Sequence, residues 1–269
     1  MASADNPYPR SILPADWDQP SEGNEALTAL FERGIFSHGE LRMPYRLFTP
    51  AVRENVPLVI FLHGADAIGR DNEAQLAMHD IGTMFAAPVW QESEPCCILA
   101  PQYGPQQHWS DPRVRDCAED LIDAVLKGRT FIDQSRIYLY GYSAGGVGVM
   151  EFLKHRPAFY AAAMAICGAV GHRDHEKLAA TPLWLFHAAD DRIVKCVYGD
   201  GSDGYQYYMG SREIYDRVKR IPGSEIHYTE FPEGSVGNLY GVNPHCSWVH
   251  VSGEGGAPAR KWMFSKIRT

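Results

Sequence analysis

No apolar run in this sequence is long enough to cross a membrane, which removes the classes built on spanning helices. No tract opens with basic residues and continues into an apolar core. Residues 1–20 are polar and carry prolines, so no signal peptide is read and a cytoplasmic location is the expectation, although a trimmed secreted chain would look the same. Positive charge is not in excess: 25 Lys and Arg stand against 33 Asp and Glu, a formal net charge of −8. That balance argues against nucleic acid and anionic membrane as partners. The six cysteines (Cys96, Cys97, Cys117, Cys167, Cys196 and Cys246) never fall in a C-x-x-C spacing. They read as small buried thiols in a reducing compartment, with no metal site. Internal repeats and low-complexity tracts are also missing.

What is present is an ordinary globular composition, 45% hydrophobic and 22% charged over 269 residues, which suits one large α/β domain. Residues 1–39 read as an N-terminal arm with a short helix at 25–33, and residues 40–269 as a single domain. Apolar or β-forming runs predict strands at 40–50, 58–62, 97–100, 137–140, 161–165, 183–186 and 225–231. The run 58–62 (Leu-Val-Ile-Phe-Leu) is continuous, as in a strand buried on both faces. Helical spacing is read around 72–79 and at 113–127, 211–220 and 259–267. Strand and helix alternate, which implies a mostly parallel sheet covered on both faces. Two glycine- and tyrosine-bearing segments, 195–210 and 233–243, fall where loops at the carboxyl ends of strands collect ligands.

The segment 136–146, Arg-Ile-Tyr-Leu-Tyr-Gly-Tyr-Ser-Ala-Gly-Gly, carries the most information. It predicts a buried strand, a sharp turn tipped by Ser143, and a helix starting near Ala144. The pattern is G-x-S-x-G. Glycines two residues on either side of the serine are needed because side chains there would meet neighbouring backbone. The same five-residue pattern also occurs in glycine-rich loops, but the flanking strand and helix are those a nucleophile needs.

A serine hydroxyl needs a base, and the base needs an orienting acid. Serine hydrolases of this strand–helix type carry them downstream in the order serine, acid, histidine. The acid falls in His187-Ala-Ala-Asp-Asp-Arg-Ile-Val194, after the strand at 183–186. Asp190 and Asp191 compete, and the position before Arg192-Ile-Val favours Asp191. The base is read as His245, which follows the last strand and precedes the last helix. His172 and His175 flank a polar loop, His227 is inside a strand, and His250 lies nearer the final helix. Two backbone donors should face the oxyanion. They are expected to be the N–H groups of Ala144 and of Ala65, the latter in His63-Gly-Ala-Asp66. Trp109, Tyr142 and Trp248 are candidate substrate-binding side chains, with packing as the alternative for Trp109.

Several segments together resemble bacterial esterases of the α/β-hydrolase superfamily. They are His63-Gly-Ala-Asp with Gly69-Arg-Asp-Asn72, Ala100-Pro-Gln-Tyr with Trp109, 133–146, Phe186-His-Ala-Ala-Asp-Asp191, and His245-Cys-Ser-Trp248. The group is the phospholipase/carboxylesterase-like, "predicted peptidase" enzymes, related to polyhydroxybutyrate depolymerases and feruloyl esterases. The resemblance spans roughly 40–269. It implies an α/β-hydrolase fold, a triad of Ser143, Asp191 and His245, and ester hydrolysis without a cofactor. Ala188 stands where the acid loop of the group usually has glycine, and the loops 195–210 and 233–243 look longer than usual. A small-molecule ester is the expected partner, and the tyrosines at 198–208 suit either an aromatic cover over the site or packing against a second copy. A serine peptidase, an acyltransferase and a non-catalytic binding protein of the same fold are the alternatives.

Overall fold

The apolar runs become the middle of an eight-stranded sheet in the computed structural model, which describes residues 24–199 and 208–268. The strands are β1 (Glu32–His38), β2 (Leu41–Phe48), β3 (Val56–Leu62), β4 (Cys97–Pro101), β5 (Ile132–Tyr142), β6 (Ala162–Ile166), β7 (Ala169–Gly171), β8 (Leu183–Ala188), β9 (Tyr208–Gly210) and β10 (Ile226–Phe231). The helices are α1 (Glu25–Thr28), α2 (Ala74–Ala77), α3 (Pro88–Ser93), α4 (Pro112–Gly128), α5 (Ala144–His155), α6 (Ser211–Val218), α7 (Ser235–Tyr240), α8 (Trp248–Ser252) and α9 (Ala257–Phe264). The main sheet runs β1-β2-β4-β3-β5-β6-β8-β10. The pairings of β1 with β2 and of β2 with β4 are antiparallel; every later pairing in the main sheet is parallel. β7 and β9 form a separate antiparallel pair.

Alternation along the strands divides the interior into two layers. On β3, Leu58, Ile60 and Leu62 face one core with α4, α5 and α6, while Val59 and Phe61 face the other with α8 and α9. Helix α4 forms because Val114, Cys117, Ala118, Leu121, Ile122 and Val125 make one apolar stripe. Asp111 caps its first turn, accepting from Arg113 N–H, and Pro112 occupies the first helical position. Helix α5 is buried along most of its length and contributes Val149, Met150, Phe152 and Leu153 to the first core layer.

Two expectations shift. The helix read at 25–33 stops at Thr28. The chain then extends as β1, which pairs residue by residue with β2 from Glu32 opposite Leu47 to His38 opposite Leu41. Hydrogen bonds along an open sheet edge outweigh the local helical preference of this segment. The loop 233–243 contains the short helix α7, flanked by Gly234 and Gly241 in the left-handed region. The arm at residues 1–23 and the tyrosines Tyr205 and Tyr207 lie outside the described residues. Tyr208 pairs with Gly171 across the β7–β9 ribbon. Among the described residues no helix is long and apolar enough to cross a membrane.

Phe152 is fully buried on α5 and meets the edge of Trp109 at 6.2 Å between ring centroids. Phe152→Ala is expected to destabilise the fold by about 3–5 kcal/mol, read as a lower urea midpoint at unchanged slope. A midpoint unmoved by the substitution would mean that α5 is not held by this layer.

Candidate active site

The loops that follow β3, β5, β8 and β10 open at one edge of the sheet, the edge at which parallel α/β sheets hold their ligands. Ser143 sits between β5 and α5 with φ 54° and ψ −120°. A non-glycine residue in that region is strained by about 1–3 kcal/mol and persists only where its surroundings hold it. Here Ser143 N–H donates to Ile166 O at 2.9 Å, and Ser143 O accepts from Val147 N–H at 3.0 Å. The two glycines of the motif are required by close approach. A Cβ on Gly141 would lie 2.6 Å from Leu62 O, and one on Gly145 would overlap that same carbonyl.

His245 lies in a 3-10 turn, Pro244–Cys246, whose start is fixed by the Asn243 side chain accepting from His245 N–H at 2.9 Å. Its Nδ1 is 2.6 Å from Asp191 Oδ2 and its Nε2 is 2.9 Å from Ser143 Oγ. A carboxylate only accepts, so Nδ1 carries the proton and Nε2 is left to accept from the serine hydroxyl. Both side chains, His245 and Asp191, are wholly buried. Asp191 Oδ1 also accepts from the N–H groups of Ile193 (2.8 Å) and Val194 (3.0 Å). Burial pushes the Asp191 carboxyl up, but His245 and His187 overcome it and hold the group well below the usual carboxylate range. Asp190 does something else: its Oδ2 accepts from Gly234 N–H at 2.8 Å and ties the β8 loop to the β10 loop. The other downstream histidines lie elsewhere. His227 packs on Trp184, and His250 Nδ1 is 2.8 Å from Tyr240 OH.

Ala144 is the first residue of α5, and Ala65 is the first residue of a 3-10 turn, Ala65–Ala67. The first N–H groups of a helix have no acceptor inside it. Both therefore begin segments whose amide ends are free to meet developing negative charge.

The three aromatic side chains expected to bind substrate are packed inside instead. Trp109, Tyr142 and Trp248 are 0%, 1% and 2% exposed. Trp109 Nε1 donates to His63 O at 3.0 Å, and its ring meets Tyr103 edge-on at 4.8 Å. Tyr142 packs against Trp248 with ring centroids 4.5 Å apart and planes tilted by 43°, and its hydroxyl donates to Asp66 Oδ1 at 2.7 Å. Strand alternation turns the residue before the serine into the sheet, opposite to the hydroxyl beside it.

Two groups were not singled out from the sequence. The first is Asp66, whose Oδ2 accepts from His79 Nε2 at 2.6 Å while Oδ1 takes the Tyr142 hydroxyl. This buried carboxylate joins the Ala65 turn to the end of β5, so the two oxyanion candidates are braced against each other. Burial raises its pKa, and the His79 and Tyr142 bonds bring it below the ordinary value. The second is His187, whose Nε2 lies 2.7 Å from Val194 O and 3.2 Å from Asp191 Oδ2, and whose Nδ1 lies 2.8 Å from Ser211 Oγ. Its position four residues before Asp191, at the end of an apolar strand, was the available signal. Away from this site, ligand atoms of Asp116, Glu119 and His155 come within 4.8 Å of one another. Arg115 engages Asp116 and His155 engages Glu119, so these groups form an ion-pair network.

The pattern of the prolyl oligopeptidase family matches residues 105–196, a stretch that includes Ser143 and Asp191 and stops before His245. A structure described as a thermostable esterase is 30% identical, superposes with a TM-score of 0.80, and is matched over 90% of this chain and 64% of its own. This chain has the α/β-hydrolase fold. Acylaminoacyl peptidase from Pyrococcus horikoshii is 14% identical at a TM-score of 0.61, over 89% of this chain and 42% of that one. Est1E from Butyrivibrio proteoclasticus is 13% identical at a TM-score of 0.59, over 87% of this chain and 99% of its own. These last two likenesses speak for the fold alone. The chain spans just under two thirds of the esterase that it matches at 30%. No curated protein matches it.

The buried imidazoles make stability depend on pH. Burial holds His63 at about 4, against the opposing pull of the Gly64 carbonyl and of Asp66 and Asp71; burial likewise holds His108 at about 4. An unfolded histidine takes up its proton near pH ~6.5. Between about 6.5 and about 4 the unfolded chain therefore binds protons that the folded chain refuses, and stability falls as pH falls. Asp191 adds to the loss lower down, since its depressed carboxyl contributes above the unfolded value of about 3.9 and ceases to contribute as acid protonates it. Urea midpoints measured from neutral to mildly acid pH should decline in the wild type and decline less steeply in His63→Asn. Parallel curves for the two proteins would contradict the assignment.

Proposed function

We propose that this α/β-hydrolase cleaves carboxylic esters of small molecules through an acyl-enzyme on Ser143. The single observation that carries the reading is the unbroken relay from Ser143 Oγ to His245 Nε2 (2.9 Å) and from His245 Nδ1 to Asp191 Oδ2 (2.6 Å), on a strained turn that exposes a hydroxyl to a helix N-terminus. The Ser143 hydroxyl attacks the ester carbonyl while His245 Nε2 takes its proton. The negative oxygen of the tetrahedral intermediate is held by the N–H groups of Ala144 and Ala65. His245 then gives the proton to the departing alkoxide. Water, deprotonated by the same nitrogen, releases the acyl group as acid and restores the serine. Asp191 keeps the imidazole in the tautomer that accepts from serine and stabilises the imidazolium formed in each step.

Similarity to a protein described as an esterase supports ester over amide substrates. The match to the prolyl oligopeptidase family favours a second reading, a peptidase on the same three side chains. An amide requires protonation of a poorer leaving group, so matched ester and amide substrates separate the two. Ester turnover with no detectable amide turnover is the expected result.

Ser143→Ala should lower kcat on a short para-nitrophenyl ester by at least about a thousandfold. Asp191→Asn should cost about three to four orders of magnitude, because the wrong tautomer is then favoured. Asp190→Asn should keep activity within about tenfold, since it removes only a loop tie. A larger loss in Asp190→Asn than in Asp191→Asn would reverse the roles of the two carboxylates.

A further inference from the structure

A cavity of about 600 Å³ runs beside α5, between that helix and the β7–β9 ribbon. Its wall includes Val147, whose N–H is bonded to the Ser143 carbonyl one turn back. Residues four apart on a helix share a face, so Ser143, Val147 and Glu151 make one stripe leading away from the nucleophile. At 1.5 Å per residue the stripe reaches Lys154 about 16 Å along the axis from Ser143.

The far end of this cavity is cationic in a protein whose net charge is −8. Arg115, Lys154, Arg173 and Lys177 line it against two carboxylates, Glu151 and Asp174. Both carboxylates are already engaged, Glu151 by Lys154 at 2.9 Å and Asp174 by Lys177 at 3.4 Å. Arg115 is bonded to Asp116 at 2.8 Å. Arg173 is exposed, and among the described residues no hydrogen bond or ion pair is formed by its guanidinium; its backbone carbonyl receives Lys154 Nζ at 3.2 Å. A concave surface whose cations outnumber its acids draws anions and is shielded by walls that exclude water.

We infer that this cavity holds an anionic arm of the substrate, so that the ester cleaved at Ser143 carries a carboxylate or comparable acid group at its distant end. The inference rests on the serine-hydrolase reading and adds a substrate class to it. Val147 and the apolar side of the cavity take the hydrocarbon part of the arm. Arg173 and Lys177, at the cationic end, take the charge, with planar guanidinium suited to a two-pronged bond to carboxylate. No bond is made or broken here; the contribution is to binding and orientation.

The test compares esters of equal length that differ by one terminal charge. On the acyl side these are the para-nitrophenyl monoester of decanedioic acid and para-nitrophenyl decanoate. On the alcohol side they are the acetyl ester of ω-hydroxydecanoic acid and decyl acetate. In at least one pair the charged member should have kcat/KM about tenfold higher at low salt, and the pair that responds tells which arm enters the cavity. In Arg173→Gln/Lys177→Gln that ratio should fall towards one with the neutral ester unaffected. Ratios at or below one in both pairs, or a ratio indifferent to the double substitution, overturn the inference while leaving the hydrolase reading intact. If none of the four esters is cleaved, the hydrolase reading is what fails. Calorimetric titration of decanedioate against decanoate then decides the cavity alone: binding that the double substitution weakens supports it, and equal or absent binding overturns it.

Discussion

The approach of α5 to the sheet is the constraint on which the rest of this structure depends. At Gly141 and Gly145 the backbone comes so near the Leu62 carbonyl that no Cβ fits. Packing this tight forces the chain to leave β5 and enter α5 within one residue, and that residue is Ser143 at φ 54°. The strain is offset by bonds on both sides of it, to Ile166 O and from Val147 N–H. The same contact sets the β3 end beside the β5 end, which brings the turn beginning at Ala65 next to the start of α5. Nucleophile and oxyanion candidates thus follow from one backbone-to-backbone contact rather than from separate devices.

Around this contact the buried charges are arranged as braces. Two aspartates lie in the interior of the site, and neither is isolated. Asp191 has four donors, two imidazoles and two backbone N–H groups. Asp66 has two, His79 and Tyr142. A buried carboxylate without such partners would be several kcal/mol unfavourable and would take up a proton instead. With them it fixes geometry: Asp191 sets the tautomer and angle of His245, and Asp66 joins the loop after β3 to the strand carrying the serine. His187 extends the first network to Ser211 at the start of α6. The position of Asp191 is therefore referred to a helix outside its own loop.

The sequence reveals these features unevenly, for physical reasons. Strands β3 and β8 and the second half of β5, residues 137–142, are buried and read as largely apolar runs, and α4 carries an unbroken stripe; both signals are local. The elbow is legible because steric demand writes glycine at fixed offsets from serine. β1 escapes because an edge strand is half solvated, and Glu32–His38 carries charges where a central strand would carry valine. The aromatic residues near the motifs were misread for a related reason. Proximity in sequence to Ser143 or His245 says nothing about which side of the strand or helix a ring takes, and Tyr142 and Trp248 fill the layer behind the site. The Asp66–His79 pair is invisible to pattern reading, since its partners, 13 positions apart, meet only once the intervening chain has folded. Asp190 and Asp191 are adjacent and chemically identical, so only their directions in space tell them apart.

The two ends of helix α5 are under different physical constraints. Its first turn is locked: glycines, strained serine and buried relay leave little freedom to vary without losing the fold. Its last two turns face a cavity whose other wall is the β7–β9 ribbon and the turn carrying Arg173, Asp174 and Lys177. Those side chains are exposed, Asp174 and Lys177 make only one local ion pair, and exposed pairs contribute about 1 kcal/mol or less to stability. They can change at little cost to folding. A rigid helix therefore holds the Ser143 hydroxyl at one end and presents a replaceable surface about three turns away. On the reading proposed above, the chemistry is fixed by packing that cannot move, and the choice of substrate is left to charges that can.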